Sequence, residues 1–223
     1  MTDPDPRTEA PADARVASRM VFWSALAVAV IGLLYAAVLG TAAALGSLTL
    51  PPPEPIGSFA ALDTIASAVL LVVLVVAIDA ITPFERRPFS RLGVVFTVMF
   101  AVVVTINRFV QLTIVRQSVA AGDVGDLRRF MPYEPHSAMF ALEILGWAFF
   151  FGLAALCLVP VLRGPGLRMW IARLFGLYAV LGLACAVGLV LDSPVVAVGF
   201  VAWGVVLPLA AGLMAVVSRA GAR

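Results

Sequence analysis

The chain has 223 residues, of which 62% are hydrophobic and 13% are charged. A soluble domain usually has about a quarter charged residues and under half apolar ones, so lipid rather than water must cover most of this surface. The formal net charge is only +2. This small excess excludes the basic patch of a nucleic-acid-binding protein, and we expect no nucleic-acid partner.

The first residues differ in composition from the rest of the chain. Residues 1–16 are rich in Pro, Asp, Arg and Ala and have no apolar periodicity. Such a composition is typical of a disordered segment. We therefore expect a disordered cytoplasmic tail at 1–16 and one transmembrane domain at 17–223.

Six apolar runs account for nearly all of that domain. A membrane-spanning helix needs about 20 mostly apolar residues, and each run is long enough. The runs are Ser18–Leu48, Phe59–Ile81, Leu92–Val115, Ser137–Leu162, Met169–Leu191 and Pro194–Val217. The sequence therefore predicts an all-α integral membrane bundle of six transmembrane helices, with the lipid bilayer as its first partner.

Arginines concentrate on alternate connections between the runs. Those on one side are Arg7, Arg15, Arg19, Arg86, Arg87, Arg91, Arg163, Arg168, Arg173, Arg219 and Arg223. The other side has only Arg116, Arg128 and Arg129. Positive charge stays in the cytoplasm, so both termini are predicted to be cytoplasmic. Arg without Lys, together with much Ala, Val, Gly and Leu, is typical of a GC-rich bacterial genome. We expect a bacterial cytoplasmic (inner) membrane protein.

Charged residues inside the runs are the main candidates for a functional site. A charged side chain at the bilayer centre costs about 2.5–3.5 kcal/mol on insertion scales. Asp63, Arg108 and Glu143 come from three successive runs. At about 1.5 Å per residue, all three are predicted to share the depth of the outer leaflet.

Further polar and aromatic residues lie on the same faces. Asn107 and Gln111 are four residues apart beside Arg108, and Trp147 follows Glu143 by four, so each pair shares a helix face. We expect them to line a polar pocket among helices 2, 3 and 4. Arg108 and Glu143 have two open interpretations: a structural ion pair between helices, or a ligand-binding or catalytic role.

Counting charges separates the two acids. Arg108 can neutralise one carboxylate, whereas Asp63 and Glu143 supply two. Burial disfavours a charged carboxyl group, so the acid without a cation is expected to be protonated at neutral pH. If Glu143 pairs with Arg108, Asp63 is the predicted proton donor. Near the other end of helix 2, Asp79 is expected to pair with Arg86 or Arg87.

The connection between runs 3 and 4, residues 116–136, is the longest. Long connections without regular structure are often lids. Tyr133 and His136 lie in it, and His136 precedes the expected helix cap Ser137. We predict that both residues lie at the pocket mouth; a solvated surface histidine is the alternative.

The sequence has too few histidines and cysteines for a zinc or haem site. The chain has one histidine and two cysteines, fewer than zinc or haem sites require, so we expect no metal and no cofactor. Cys157 and Cys185 are predicted near opposite membrane faces. They would then be too far apart for a disulfide.

Three segments carry a shared pattern: residues 107–116, 133–136 and 141–146. They resemble a group of uncharacterised bacterial multi-pass membrane proteins. Their shared pattern has Asn, then Gln-Leu-Thr four residues on, then Tyr-x-Pro-His and Ala-Leu-Glu. The resemblance implies a similar six-helix bundle and no particular activity. This sequence departs from the pattern at Arg108, where the group has an aromatic residue. The resemblance makes these the residues of interest: Asn107, Gln111, Thr113, Tyr133, His136 and Glu143.

Three functions are compatible with these features. The leading hypothesis is an inner-membrane protein whose pocket binds a small amphiphile or lipid-like ligand. The catalytic alternative is a membrane-embedded enzyme, similar to terpene cyclases, that protonates an isoprenoid or lipid-like substrate through Asp63 or Glu143. Aromatic side chains would shield its cation, with Trp147, Phe149 and Tyr133 as candidates. The third is a structural subunit of a membrane complex; the oligomeric state is not predicted.

Overall fold

The computed structural model describes residues 12–46, 53–123, 125–131 and 136–221. Within these residues 90% are helical and none forms a strand. Six helices are long and apolar enough to cross a membrane, which confirms the predicted all-α class with six candidate spans. They are α1 Ala12–Ala44, α2 Ile56–Ala80, α3 Phe84–Ala121, α4 Ala138–Leu162, α5 Leu167–Val190 and α6 Pro194–Arg219.

Several helix boundaries differ from the predicted ones, most of all at the start of α1 and at both ends of α3, which begins at Phe84 rather than at Leu92. Helix α1 begins at Ala12, so it includes residues 12–16 of the predicted tail; the remainder of that tail lies outside the described residues. Helix α3 continues to Ala121 and ends where Gly122 adopts φ 74°. Hydropathy marks the lipid boundary rather than the helix end, and residues 116–121 extend α3 beyond its apolar run. The predicted irregular connection is therefore shorter and contains a 3-10 turn at Gly125–Phe130.

The helices pack in chain order and close into a ring. Each contacts the next one along the chain, and α6 returns to pack against α1. Large side chains fill the interior, including Leu71, Phe100, Phe151 and Tyr178. Apolar side chains also cover the outside, for example Leu62 and Val69 on α2. An apolar exterior of this extent is typical of a surface that faces lipid.

Small residues set the closest helix contacts. A Cβ atom at Gly182 on α5 would lie 2.9 Å from the carbonyl oxygen of Ala148 on α4. A Cβ atom at Gly32 on α1 would lie 2.7 Å from Cγ of Pro208 on α6. These glycines allow α4 to approach α5 and α1 to approach α6, which brings the ring together.

Three helices contain a π-helical turn. The turns are Gln111–Val115 in α3, Leu145–Phe150 in α4 and Ala202–Val206 in α6. All three lie in the half of the bundle that contains the first turns of α2, α4 and α6, which we call the upper half. Such turns insert an extra residue into the helix, and they are frequent at functional sites. In α6 the turn precedes Pro208.

Candidate functional site

A buried network of polar side chains joins α3 to α4 in the upper half. Arg108 donates through Nη2 to Glu143 Oε1, and through Nη1 to Gln111 Oε1 at 2.8 Å. Asn107 Nδ2 donates to Glu143 Oε2 at 2.8 Å and to the Met139 carbonyl at 3.2 Å. We call Asn107, Arg108, Gln111 and Glu143 the charge network. The predicted proximity of Arg108 and Glu143 is confirmed.

The network satisfies the Glu143 carboxylate and shields it from solvent. Asn107 is fully buried, Arg108 is 2% exposed and Glu143 is 8% exposed. Each Glu143 oxygen accepts a hydrogen bond from α3. Charge-assisted bonds of this kind are roughly twice as strong as neutral ones. Both Glu143 oxygens are therefore occupied by donors from α3.

A cavity of about 60 Å³ lies on the carboxylate side of the network, among α1, α2, α4 and α6. We call it the acidic cavity, because its only charged lining side chains within the described residues are Asp63 and Glu143. Aromatic rings form much of its wall, namely Tyr35, Phe140, Trp147, Phe200 and Trp203.

A larger cavity of about 370 Å³ lies on the guanidinium side, between α2 and α3. We call it the α2–α3 cavity. Arg108, Gln111 and Arg116 of α3 line it, together with Glu54 and Ser58 near the start of α2. The rest of its lining is mostly apolar: Pro53, Gly57, Ala60, Ala61, Leu112, Val115, Val119, Ala120 and Met131.

The predicted single pocket among helices 2, 3 and 4 is therefore replaced by two cavities. Helix α2 separates them: Ala60 and Ala61 face one cavity, and Asp63 and Thr64 face the other. The ring closure places α1 and α6 beside α2 and α4. Sequence reasoning did not anticipate that neighbourhood, because it depends on contacts between residues far apart in the chain.

Asp63 stands apart from the charge network. Among the described residues its carboxylate forms no hydrogen bond and no ion pair, and the side chain is half-buried at the acidic cavity. Arg108 acts on it only as a nearby charge. The two acids thus have different environments, as the charge count predicted. The protonation state of Asp63 stays a prediction.

Trp147 lies at the centre of an aromatic cluster. It is 7% exposed and packs edge-on against Phe100, with ring centroids 4.6 Å apart. Its backbone carbonyl, in the π turn of α4, accepts a hydrogen bond from the Tyr178 hydroxyl at 2.9 Å. Trp203 of α6 lies 6.4 Å from it, centroid to centroid. Trp203 was not among the predicted site residues; with Phe200 it is one of the two aromatic residues of α6, and that pair was the available signal.

Two of the predicted positions, His136 and Phe149, line neither cavity. Tyr133 is outside the described residues. His136 is exposed with φ 66° and lines neither cavity, so the structure does not bring it to a pocket mouth. Phe149 is 40% exposed and also lines neither cavity, because the π turn directs Trp147 inward and Phe149 outward. Ser137 does cap α4, as predicted: its Oγ accepts from the Phe140 N–H at 3.1 Å.

The lower half has a simpler polar contact. Asp79 accepts a hydrogen bond from Ser90 Oγ on α3. The predicted ion pair with Arg86 or Arg87 is wrong, since their guanidinium groups donate to the carbonyls of Arg163 and Thr82 at 3.1 and 3.3 Å. The second turn of α3 lies beside the last turn of α2, which places Ser90 closer to Asp79 than either arginine.

These features define a class: an all-α bundle of six helices able to span a membrane, with a buried charge network between two cavities. The described part of the chain contains no cluster of His, Cys, Asp and Glu able to hold a metal ion. The chain matches no family model, no curated protein and no solved structure. The resemblance seen in the sequence therefore stays a prediction, and function is argued from the geometry.

Proposed function

We propose that the protein binds a small amphiphile or lipid-like molecule in the α2–α3 cavity, within the bacterial cytoplasmic membrane. The observation that carries this proposal is a mostly apolar cavity of about 370 Å³ that opens onto Arg108 and Gln111. Ligand pockets are typically about 300–1,000 Å³ and combine apolar walls with a few polar groups. The α2–α3 cavity has this size and this composition.

The polar groups indicate the chemistry of the headgroup. Two guanidinium groups, Arg108 and Arg116, and one carboxylate, Glu54, line the cavity. Because Arg108 is already paired with Glu143, the cavity offers hydrogen-bond donors rather than an excess of charge. Ser58 Oγ is buried there without a hydrogen-bond partner in the described part of the chain. Guanidinium and hydroxyl donors favour an anionic or oxygen-rich headgroup. The apolar walls suit a short hydrocarbon chain.

The catalytic alternative has less support. An enzyme acting on an isoprenoid needs its acid beside a substrate-sized cavity. Asp63 and Glu143 line the acidic cavity of about 60 Å³, and neither lines the larger one. The third alternative, a structural subunit, requires no ligand and predicts that changes to the cavity lining leave lipid retention unaltered.

Filling the cavity tests the proposal. Ala120 lines the rim, whereas the adjacent Ala121 does not, and both side chains are exposed. Ala120→Trp is expected to displace the bound amphiphile, and Ala121→Trp is the matched control. Each variant is purified in a nonionic detergent, and its retained lipids are extracted and quantified by mass spectrometry. A species retained by the wild type and the control but lost from Ala120→Trp supports the proposal. Equal retention in all three contradicts it.

We also propose that both termini are cytoplasmic, which places the two cavities in the outer leaflet. The support is the arginine asymmetry across the six spans. Reporter fusions at Gly57 and Asp192 are expected to read as extracytoplasmic, and a fusion at Pro88 as cytoplasmic. A cytoplasmic signal at Asp192 contradicts this orientation.

A further inference from the structure

We infer that the acidic cavity is a second binding site, which takes a small ammonium ion. It lies on the opposite side of α2 from the α2–α3 cavity. The inference goes beyond the amphiphile proposal and rests on different residues. Its three supports are the unmatched charge of Asp63, the aromatic wall and the size of the space.

The charges around the cavity do not balance. Glu143 is matched by Arg108, and both of its oxygens already accept hydrogen bonds from α3. Asp63 has no such donor among the described residues. The lining contributed by α1 and α6 carries no charged side chain. An ionised carboxylate away from bulk water is costly unless a cation accompanies it. A bound ammonium ion supplies that cation in place of the proton that the charge count predicts for Asp63 alone.

The wall has the chemistry that recognises organic ammonium ions. Trp147 and Trp203 are 6.4 Å apart between ring centroids, with an interplanar angle of 43°. Phe200 packs against Trp203 at 5.3 Å. The negative faces of such rings attract ammonium groups, and aromatic cages bind methylated ammonium ligands in this way. The π turns of α4 and α6 contain these two tryptophans, which explains why both reach one cavity.

The size of the cavity limits the ligand. About 60 Å³ corresponds to roughly four to six water positions at 10–15 Å³ each. That space fits an ammonium or methylated ammonium group but not a long hydrocarbon chain. A bare metal cation is disfavoured because it needs several oxygen ligands, whereas most of the lining side chains are aromatic or aliphatic. A small ammonium ion satisfies both the rings and Asp63.

Titration with tetramethylammonium chloride tests the inference on the full chain in a nonionic maltoside detergent. Sodium chloride at equal ionic strength is the reference. We expect tetramethylammonium to change the tryptophan fluorescence saturably and to raise the melting temperature. Asp63→Asn is expected to abolish both responses. Asp192→Asn, which neutralises an exposed acid outside the cavity, is expected to keep them.

A second variant covers the case in which Asp63→Asn fails to fold. Gly204 lines the cavity, and a Cβ atom there would meet no atom within 4 Å, so Gly204→Leu fills the space without a backbone clash. It too is expected to remove the response. A response that survives in either folded variant, or no saturable response in the wild type, overturns the inference. Stabilisation by acidic pH alone, without any tetramethylammonium response, also overturns it and indicates a proton as the occupant. Lipid retention in the α2–α3 cavity is unaffected by any of these outcomes.

Discussion

Each end of α2 carries an aspartate, and the two differ in their hydrogen bonding. Asp63 and Asp79 are sixteen residues apart on one apolar helix. Asp79 accepts a hydrogen bond from Ser90 on α3, whereas Asp63 faces a cavity and has no hydrogen-bond partner among the described residues. The difference lies in the neighbouring helices rather than in α2. A carboxylate in this bundle stabilises helix packing where a donor lies against it. Where a cavity replaces that donor, the carboxylate can contact a ligand.

In the upper half of the bundle, the charge network holds the Glu143 carboxylate by hydrogen bonds. Glu143 resembles Asp79 in having its donors supplied by α3. Asp63 lies at the same cavity as Glu143 and lacks such donors. Asp79 and Glu143 thus accept hydrogen bonds from α3, whereas Asp63 accepts none among the described residues.

The largest effect is expected from breaking the ion pair of the charge network. Arg108→Met leaves Glu143 buried without its cation, and loss of one partner of a buried pair costs about 3–5 kcal/mol. Glu143→Gln is expected to cost a similar amount. The double variant Arg108→Met with Glu143→Gln is expected to recover most of the stability, as measured by thermal unfolding in detergent. A double variant as unstable as the sum of the singles would show that the pair is not the stabilising contact.

The double variant also separates a structural role from a binding role. If the network only joins α3 to α4, the stable double variant retains the copurified amphiphile. If Arg108 holds the headgroup, as proposed, the double variant folds and loses that species in the mass-spectrometric assay. Gln111→Leu, which keeps both charges, is expected to weaken retention while the protein stays folded.

A smaller loss is expected at the lower end of α2. Asp79→Ala removes a hydrogen bond to a charged group, which contributes about 1.5–3 kcal/mol. Ser90→Ala is expected to destabilise the bundle comparably, and the two changes together should cost less than their sum. A double-mutant cycle on the melting curves measures this coupling. Strict additivity would show that Asp79 and Ser90 do not stabilise each other.

Asp63→Asn is expected to change stability less than either change above. The substitution keeps the size of the side chain and removes no hydrogen bond among the described residues, so its cost should stay within about 0.5 kcal/mol. The folded variant is nevertheless expected to lose the tetramethylammonium response. A destabilisation as large as that of Asp79→Ala would show that Asp63, like Asp79, forms a stabilising contact.

The smallest effect is expected at His136. It is exposed with a positive φ, a conformation that asparagine tolerates. His136→Asn is therefore expected to leave stability within about 0.5 kcal/mol and to leave both binding assays unchanged. A loss of amphiphile retention in this variant would restore His136 to the site, as the sequence suggested.

The sequence by itself determined the spans and the depth of the charged residues. Apolar length is a local property, so the six runs were recognisable without any contact between them. The common depth of Arg108 and Glu143 followed from the same runs, and the cost of an unpaired charge made their pairing one of two interpretations. The N-terminal cap at Ser137 was equally local.

The tertiary structure decided which residues surround the acids. Ser90 rather than Arg86 contacts Asp79 because the second turn of α3 packs against the last turn of α2. Trp203 reaches the acidic cavity because α6 closes the ring against α1, with Gly32 beside Pro208. Hydropathy gives the face and depth of a side chain on its own helix, whereas the neighbour across a helix interface depends on residues far away in the chain. The division of one predicted pocket into two cavities follows from that long-range packing.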